Sequence, residues 1–226
     1  MGLDQLGRDL LSRVMWGGRI SLFIGLSAAL ASTLVGTVIG LPSAYYTRWL
    51  DLLVQRVVDA FSAFPSLILA LILMAVLGQS TLNIIIAISF ANAPRMSRVV
   101  RASVLSIKGQ SFVESARAIG AGDARIMVNH LLPNVAATIM VLATLILGTA
   151  IVIEASLSFL GIGTSPEMPS WGRMLSGAAM EHFREHPYLA IFPGIAISLA
   201  VLAVNFLGDA LRDIWDPRLR GTDSQL

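Results

Sequence analysis

The segment 111–134, SFVESARAIGAGDARIMVNHLLPN, is polar, although the chain on both sides of it is apolar enough to lie in lipid. Its ionisable side chains are Glu114, Arg117, Asp123, Arg125 and His130. Groups of this kind suit helix capping and charge pairing with another surface. Because helices as short as these are marginal in water, the segment needs a support. It is either an amphipathic connector resting on its own bundle or on lipid, or a docking element for a cytoplasmic partner.

A first short helix is predicted from Ser111 to Ile119. Ser111 followed by Glu114 fits a capping box, in which the serine accepts a hydrogen bond from the amide of residue 114 and the glutamate reaches back. Gly120 then stands where a left-handed C-cap belongs, since glycine adopts a positive φ without strain.

A second helix is predicted to follow the bend at Gly120. Asp123 is its expected N-cap, and Ile126 and Leu131 contribute to its apolar face. Pro133 is expected to end this helix just before the next apolar segment, because proline lacks the amide hydrogen that a helix interior requires.

The composition favours a protein that lies in a membrane. Of the 226 residues, 55% are hydrophobic and only 13% are charged, whereas about 25% is usual for soluble domains. The net charge of +2 gives no reason to expect nucleic-acid binding. The absence of cysteine excludes disulfides, a thiol nucleophile and cysteine metal ligands.

Five membrane spans are predicted, because a helix needs about 20 mostly apolar residues to cross a bilayer. Four of them are clear, namely 20–45, 57–78, 135–161 and 189–211. The fifth is weaker, since it begins at Leu82 and becomes polar at Pro94 and Arg95. We expect one long helix to about Ile107, whose second half leaves the membrane. The predicted fold class is an all-α, polytopic helical membrane protein.

The distribution of lysine and arginine orients these spans. One side of the predicted topology carries Arg48, Arg56, Arg95, Arg98, Arg101, Lys108, Arg117, Arg125, Arg212, Arg218 and Arg220. The other side carries only Arg8, Arg13, Arg19, Arg173 and Arg184. Because the richer side is normally cytoplasmic, segment 111–134 and the C-terminus are predicted to face the cytoplasm.

The N-terminal segment, 1–19, lies outside the cell in a topology with five spans. It carries three arginines and no recognisable signal peptide that would carry it there. We therefore expect a further span upstream of this chain. The alternative is that the weak span beginning at Leu82 is wrong, and the later topology then changes.

Small residues recur at every fourth position of the first span, at Ala28, Ser32, Gly36 and Gly40. Such a stripe lets another helix approach closely. Packing inside the bundle is the favoured interpretation, and a contact with another subunit is the second.

No arrangement of side chains predicts an enzyme or a metal site. Ser156 and Ser158 lie near apolar helix, but no histidine accompanies them within the spans. His182 and His186 would share a helical face in an external loop, yet Pro187 follows and only two good ligands converge. We therefore expect neither a catalytic residue nor a bound metal.

The segment 111–134 resembles the EAA loop of ABC importer permeases. That pattern is Glu-Ala-Ala, three residues, Gly, nine residues, an aliphatic residue, one residue and Leu-Pro. Here the matching residues are Glu114, Ser115, Ala116, Gly120, His130, Leu132 and Pro133. Ser115 replaces the first alanine of the pattern, and His130 replaces its aliphatic residue.

Three further stretches resemble the C-type subunit of the dipeptide, oligopeptide and nickel branch of that family. They are GLDQLGRDLLSRVMWGGRISL, SFLGIGTSPEMPSWGRML and FPGIAISLAVLAVNFLGDALRDIWDPR. The resemblance implies a type I ABC importer permease fold whose first span is missing here. The resemblance also implies two parts of the chain: an external N-terminal segment, 1–19, and a transmembrane permease domain, 20–226. The permease domain includes a cytoplasmic coupling loop at 108–134.

The resemblance implies the permease subunit of an ATP-driven importer in a bacterial or archaeal plasma membrane. The subunit would form half of a translocation path for peptides or related small solutes. The implied partners are a homologous permease subunit, two cytoplasmic ATPase subunits, an extracytoplasmic substrate-binding protein and membrane lipid. ATP would bind to the ATPase subunits, because the only lysine, Lys108, lies in no P-loop sequence. No cofactor is expected in this chain. The alternative is an ATP-independent helical carrier or channel acting alone.

The residues that the resemblance assigns to ATPase coupling are Glu114, Ser115, Ala116, Arg117, Gly120, His130 and Pro133. Glu114 would meet a basic group of the ATPase, and Ala116 would keep the contact face thin. Pro133 would transmit the movement rigidly into the next span.

Glu154 is an acidic residue inside the predicted span 135–161. Because a charge there is costly, it indicates a function in the translocation path or in gating. The other interpretation is a structural glutamate that is hydrogen-bonded to a neighbouring helix. The resemblance favours structure or gating over substrate selection.

Overall fold

The computed structural model describes residues 2–4, 7–46, 48–164, 168–176, 180 and 184–215. Within these residues the chain forms helices joined by short turns. They are α1 (Leu10–Tyr46), α2 (Trp49–Ser62), α3 (Ser66–Leu77), α4 (Thr81–Ile107), α5 (Ser111–Ala118), α6 (Asp123–Arg125), a π-helical turn (Ile126–Leu131), α7 (Leu132–Phe159), α8 (Trp171–Leu175) and α9 (Tyr188–Trp215). The all-α prediction is confirmed.

Three helical stretches are long and apolar enough to cross a membrane, namely Leu10–Tyr46, Asp123–Phe159 and Tyr188–Ile214. The bent pair formed by α2 and α3 makes a fourth if it counts as one span. Helix α4 is continuous over 27 residues, as predicted, but its polar second half keeps it outside this set. By length and composition the described residues therefore give three or four spans, against the five predicted.

The predicted uninterrupted span 57–78 is wrong, because the helix breaks in its middle. Helix α2 ends at Ser62, α3 begins at Ser66, and the two axes differ by 89°. Pro65 lies at the break and has an extended conformation, with φ −54° and ψ 135°. Proline offers no amide hydrogen and disfavours the helical conformation of the residue before it, which here is Phe64.

The stripe of small residues on α1 packs against α4 of the same chain, which confirms the interpretation of packing inside the bundle. A Cβ atom added to Gly36 would lie 2.5 Å from the Cβ of Met96. One added to Gly40 would overlap the carbonyl oxygen of Ser97. The two backbones therefore meet in a contact that has no room for larger side chains.

Two large apolar clusters form most of the core, beside a smaller one around Leu10. One of the two lies around the first half of α1, the start of α4 and the end of α7 and includes Ile24, Ile84 and Leu157. The other joins α4 and α7 to the segment after α4 through the fully buried side chains of Val104, Val113, Ile126, Leu131 and Ile146. This second cluster fixes segment 111–134 to the bundle, so the short helices are supported by tertiary packing.

Candidate functional site

Helix α5 buries one face against its own bundle and leaves the other face open. Val113 is fully buried and Ala116 is 3% exposed. Glu114 and Ser115 are exposed, and Ile119, just after the helix, is 85% exposed. Ala116 therefore turns its methyl group to the core, whereas Glu114 and Ser115 lie on the open face where a partner contact is predicted. Ile119 is an exposed apolar residue that the motif did not single out.

The predicted capping box is not formed. The helix begins at Ser111 itself, so the N-cap is Gln110, which makes no side-chain capping hydrogen bond. The amide of Glu114 donates to the carbonyl oxygen of Gln110, at 3.3 Å. Because Ser111 lies within the first turn, it is one position too late to act as a cap.

The bend after α5 has the geometry that the sequence predicted. Gly120 has a φ of +82°. Its amide donates to the carbonyl of Arg117 at 2.9 Å, and the amide of Ala121 donates to the carbonyl of Ala116 at 3.0 Å. This pair of hydrogen bonds is a Schellman motif, which terminates helices with a left-handed residue.

The second predicted helix does not end at Pro133. Helix α6, the π-helical turn and α7 run on as one stretch from Asp123 to Phe159. Within the wider turn, the amide of Leu132 donates to the carbonyl of Met127, five residues back. This wider turn makes room for the ring of Pro133, which would clash with a carbonyl four residues back in an ordinary helix interior. The prediction that Pro133 stops the helix is therefore wrong, because the helical stretch continues through it into the span.

Asp123 is the first residue of its helix rather than the N-cap, which is Gly122. Its Oδ1 atom instead accepts a hydrogen bond from the hydroxyl group of Tyr45, at 2.6 Å. The guanidinium carbon of Arg117 lies 5.5 Å from the centre of the Tyr45 ring, within the range of a cation–π contact. Tyr45 thus ties the end of α1 to both sides of the bend at Gly120.

Two further polar contacts hold the neighbouring helix ends. The guanidinium of Arg101 binds both carboxylate oxygens of Asp51, and the hydroxyl of Ser43 donates to Asp51 Oδ1 at 2.6 Å. Lys108 Nζ donates to the carbonyl of Ala44 at 2.9 Å. Burial lowers the pKa of the Lys108 ammonium group, an effect that Asp51 opposes. Helices α1, α2 and α4 are therefore clamped together beside the segment.

His130 lies half-buried in the π-helical turn, and its carbonyl accepts a hydrogen bond from Asn134 Nδ2 at 2.6 Å.

The sequence offered no signal for Tyr45, because its partner Asp123 is 78 positions away and only the fold brings the two together.

Replacing Tyr45 with phenylalanine is expected to loosen the segment without unfolding the bundle. The change removes the hydroxyl group that binds Asp123 and leaves the ring in place. The expected loss is about 1.5 kcal/mol, the lower end of the range for a hydrogen bond to a charged group, because Asp123 is exposed. Amide hydrogen exchange at residues 121–126 should become faster. Tyr46→Phe is the matched control, since the neighbouring Tyr46 is 47% exposed; equal exchange in both variants contradicts the role assigned to Tyr45.

Glu154 is fully buried in a cluster of hydroxyl groups near the C-terminal end of α7. Its Oε1 atom accepts a hydrogen bond from Ser158 at 2.8 Å. The hydroxyls of Ser21 and Ser170 also face its carboxyl group. Its Oε2 atom has no partner that meets hydrogen-bond geometry within the described part of the chain. Glu154 therefore lies in an enclosed polar cluster to which α7, α1 and the residue before α8 contribute.

The cluster holds the segment 168–176 against the bundle. Ser21 on α1 accepts a hydrogen bond from the amide of Trp171 at 3.2 Å, and Trp171 Nε1 donates to the carbonyl of Val14 at 2.9 Å. The Ser170 hydroxyl accepts a hydrogen bond from the amide of Arg173 at 3.3 Å and so caps α8. A Cβ atom on Gly172 would overlap the backbone of Ala155. The segment 168–176 is therefore seated directly on α1 and α7.

Replacing Ser158 with alanine is expected to destabilise the end of the bundle at which α7 terminates. The change leaves Glu154 Oε1 without its bonded hydroxyl in a buried site, at a cost of about 1–3 kcal/mol. Thermal unfolding of the detergent-solubilised protein measures this loss. Ser156→Ala is the control, because the Ser156 hydroxyl only bonds the carbonyl of Val152 in its own helix. An unchanged unfolding temperature for Ser158→Ala contradicts the structural role of the cluster.

No group of three or more potential metal ligands occurs among the residues that the structure describes. His186 lies in this part of the chain, whereas His182 lies outside the described residues.

The sequence matches the family described as binding-protein-dependent transport system inner membrane component over residues 36–221. It is 43% identical to the dipeptide transport system permease protein DppC of Alkalihalophilus pseudofirmus, over 97% of this chain and 72% of that protein. It is 46% identical to the glutathione transport system permease protein GsiD of Escherichia coli, over 97% of this chain and 72% of that protein.

The fold is similar to solved ABC transporter chains. A chain of the inward-facing MetNI methionine ABC transporter matches with a TM-score of 0.65 and 22% identity, over 89% of this chain and 98% of that one. A chain of an amino acid ABC transporter with histidines matches with a TM-score of 0.63 and 16% identity, over 93% and 98%. With the family match and the two relatives, these similarities lead to one conclusion: the chain is a member of the binding-protein-dependent transport system inner membrane component family.

Proposed function

We propose that this chain is a membrane subunit of an ATP-driven importer and that α5 is its contact with a cytoplasmic ATPase subunit. The observation that carries this proposal is the open face of α5, which is joined through the bend at Gly120 to one helical stretch, Asp123–Phe159. A push on α5 reaches the membrane span through a bend of only four residues, 119–122. Such an element suits a two-state transition driven by a ligand bound elsewhere.

The contact surface consists of residues on both sides of the end of α5. Glu114 and Arg117 supply opposite charges, Ser115 is small, and Ile119 offers an apolar side chain that is 85% exposed. Gly120 sets the direction in which the second half of the segment leaves. His130 and Pro133 belong to the stretch that would transmit the movement, and Ala116 supports α5 from behind.

The proposed assembly contains a second permease subunit homologous to this one, two ATPase subunits and an extracytoplasmic binding protein. The family description itself refers to a binding-protein-dependent system of the inner membrane. The second permease subunit is proposed to complete a path of which this chain forms half. ATP is proposed to bind only to the ATPase subunits, so this chain needs no cofactor and catalyses no reaction. The orientation with α5 and the C-terminus in the cytoplasm follows from the distribution of arginine and lysine.

The proposed substrates are short peptides and related small solutes. Two relatives with more than 40% identity are named for dipeptide and glutathione transport, and both names describe small peptides. Glu154 is proposed to seat the segment 168–176 on the bundle, and thereby to shape or gate the outer end of the path.

Co-purification from membranes tests the importer against an ATP-independent carrier acting alone. An affinity-tagged chain, expressed with its neighbouring genes, is expected to retain an ATPase subunit, and the purified complex should hydrolyse ATP faster when a loaded binding protein is added. Uptake of peptide by proteoliposomes without ATP, in a preparation free of any ATPase subunit, would show that the chain is a carrier instead.

A further inference from the structure

An open cleft of about 390 Å³ runs along one side of α7. Gly148 and Thr149 form part of its floor, Arg95 of α4 stands on one side, and Asn205 of α9 stands on the other. Ser66, at the start of α3, adds a further hydroxyl group. The rest of the lining is aliphatic, so a few polar groups converge on an otherwise apolar surface, as in small-molecule sites.

Arg95 differs from the two arginines that follow it on the same helix. Arg101 is paired with Asp51, and Arg98 donates to Asp59 at 2.8 Å. Arg95 makes no ion pair with any residue that the structure describes, and it is exposed to the cleft. The N–H groups of its guanidinium are therefore available to a ligand, and this group stays charged at any physiological pH.

The position of Arg95 along α4 makes lipid an unsuitable neighbour. Arg95 lies about 21 Å from Thr81 along the helix axis, at 1.5 Å per residue. It therefore stands where the apolar first half of α4 gives way to the polar second half, at the predicted edge of the membrane. A charge there is placed more favourably against polar groups than against lipid. The cleft, with its polar groups, is therefore the expected environment of this charge.

We propose that Arg95 binds the carboxylate group of a solute as the solute passes along α7, together with Asn205 on the other side of the cleft. This inference rests on the proposed importer function and names the chemical class of its substrate, a small solute carrying a free carboxylate. A guanidinium group binds a carboxylate through two parallel N–H···O hydrogen bonds. The Arg95 guanidinium has the charge and the available N–H groups that such a pair needs. The side-chain amide of Asn205 supplies a neutral donor to the same group.

The test compares two solutes in the complete importer, reconstituted in proteoliposomes with its ATPase subunits and binding protein. One solute is a dipeptide with a free C-terminal carboxylate, and the other is the same dipeptide with a C-terminal amide. Arg95→Gln is expected to lower uptake of the acid relative to the amide by about tenfold or more, the loss of one charge-assisted pair. The selectivity of the binding protein is the same for both importers and cancels in the comparison. Arg95→Lys should restore part of the ratio.

Two further variants keep the test informative if Arg95→Gln fails to assemble. Asn205→Asp places a competing carboxylate across the cleft from Arg95, so uptake of the acid should fall while uptake of the amide is retained. Arg98→Gln is the control, because its side chain pairs with Asp59 rather than lining the cleft.

The inference is overturned if the ratio of acid uptake to amide uptake is the same in the wild type, Arg95→Gln and Asn205→Asp. ATP-dependent uptake by the same preparation would still leave the importer function intact. A loss of the second permease subunit from both the Arg95→Gln and Arg95→Lys complexes also overturns the inference, because Arg95 would then serve the subunit interface. Absence of any ATP-dependent uptake in the wild type contradicts the proposed function itself.

Discussion

Replacing Gly120 with valine is expected to abolish solute uptake while leaving ATP hydrolysis by the assembled importer largely intact. The residue at this position has a φ of +82°, and no atom outside its chain neighbours lies within 4 Å of an added Cβ. The penalty therefore comes from the backbone conformation and not from crowding. For a β-branched side chain it should reach about 3 kcal/mol.

A penalty of that size depletes the bent conformer by more than about 100-fold, since each 1.4 kcal/mol is a factor of about ten. Without the bend, α5 no longer directs the movement of an ATPase subunit into the stretch Asp123–Phe159. The ratio of peptide transported to ATP hydrolysed in proteoliposomes measures the effect.

Two further substitutions distinguish the effect of backbone conformation at this bend from the effect of side-chain size. Gly120→Asn should keep most of the uptake, because asparagine tolerates the left-handed region better than other side chains. Gly122→Ala should be nearly neutral, because Gly122 has a φ of −68° and open space around it. Full uptake by Gly120→Val would show that the bend does not transmit force.

Replacing Gly40 with alanine is expected to disrupt the packing of α1 on α4. The added methyl group would overlap the carbonyl oxygen of Ser97, which belongs to a helix backbone and cannot rotate away. The helices must then separate along a contact that also includes Gly36 and Met96. The cost of such overpacking is about 3 kcal/mol, at the upper end of the usual range. A lower unfolding temperature in detergent and a lower yield of assembled complex are the measurements.

Gly194→Ala is the matched control for Gly40→Ala. Gly194 also lies within a long helix, α9, but no atom lies within 4 Å of the added Cβ. Because alanine is about 1 kcal/mol better than glycine in a helix interior, this variant should be as stable as the wild type or more stable. Equal stability of the two variants would contradict the close contact between α1 and α4.

Features set by composition and local conformation could be predicted from the sequence. The all-α fold, the continuous helix to Ile107 and the left-handed Gly120 all follow from apolar length or from a single residue type. The stripe through Gly36 and Gly40 likewise predicted a close helix contact. In each case, the physical cause lies within a few consecutive residues.

Features that depend on competing signals or on distant partners could not be predicted. Pro65 interrupts a span that its apolar composition alone made continuous, whereas Pro133 is accommodated by a π-helical turn. Asp123 has the sequence position of an N-cap but binds Tyr45 instead. Arg95 looked like one of three similar arginines, and only the packing of α4 against α2 and α7 separates it from Arg98 and Arg101.

A single cysteine at position 119 gives the most direct test of the contact between α5 and an ATPase subunit. The natural sequence contains no cysteine, so Ile119→Cys introduces the only thiol of the chain. Val113→Cys is the control, because Val113 belongs to the same segment but is fully buried. In membrane vesicles holding the complete importer, a thiol-specific crosslinker should join Cys at position 119, but not at position 113, to an ATPase subunit. Labelling of position 119 by a membrane-impermeant thiol reagent from outside intact cells, without any crosslink to an ATPase subunit, would contradict the account.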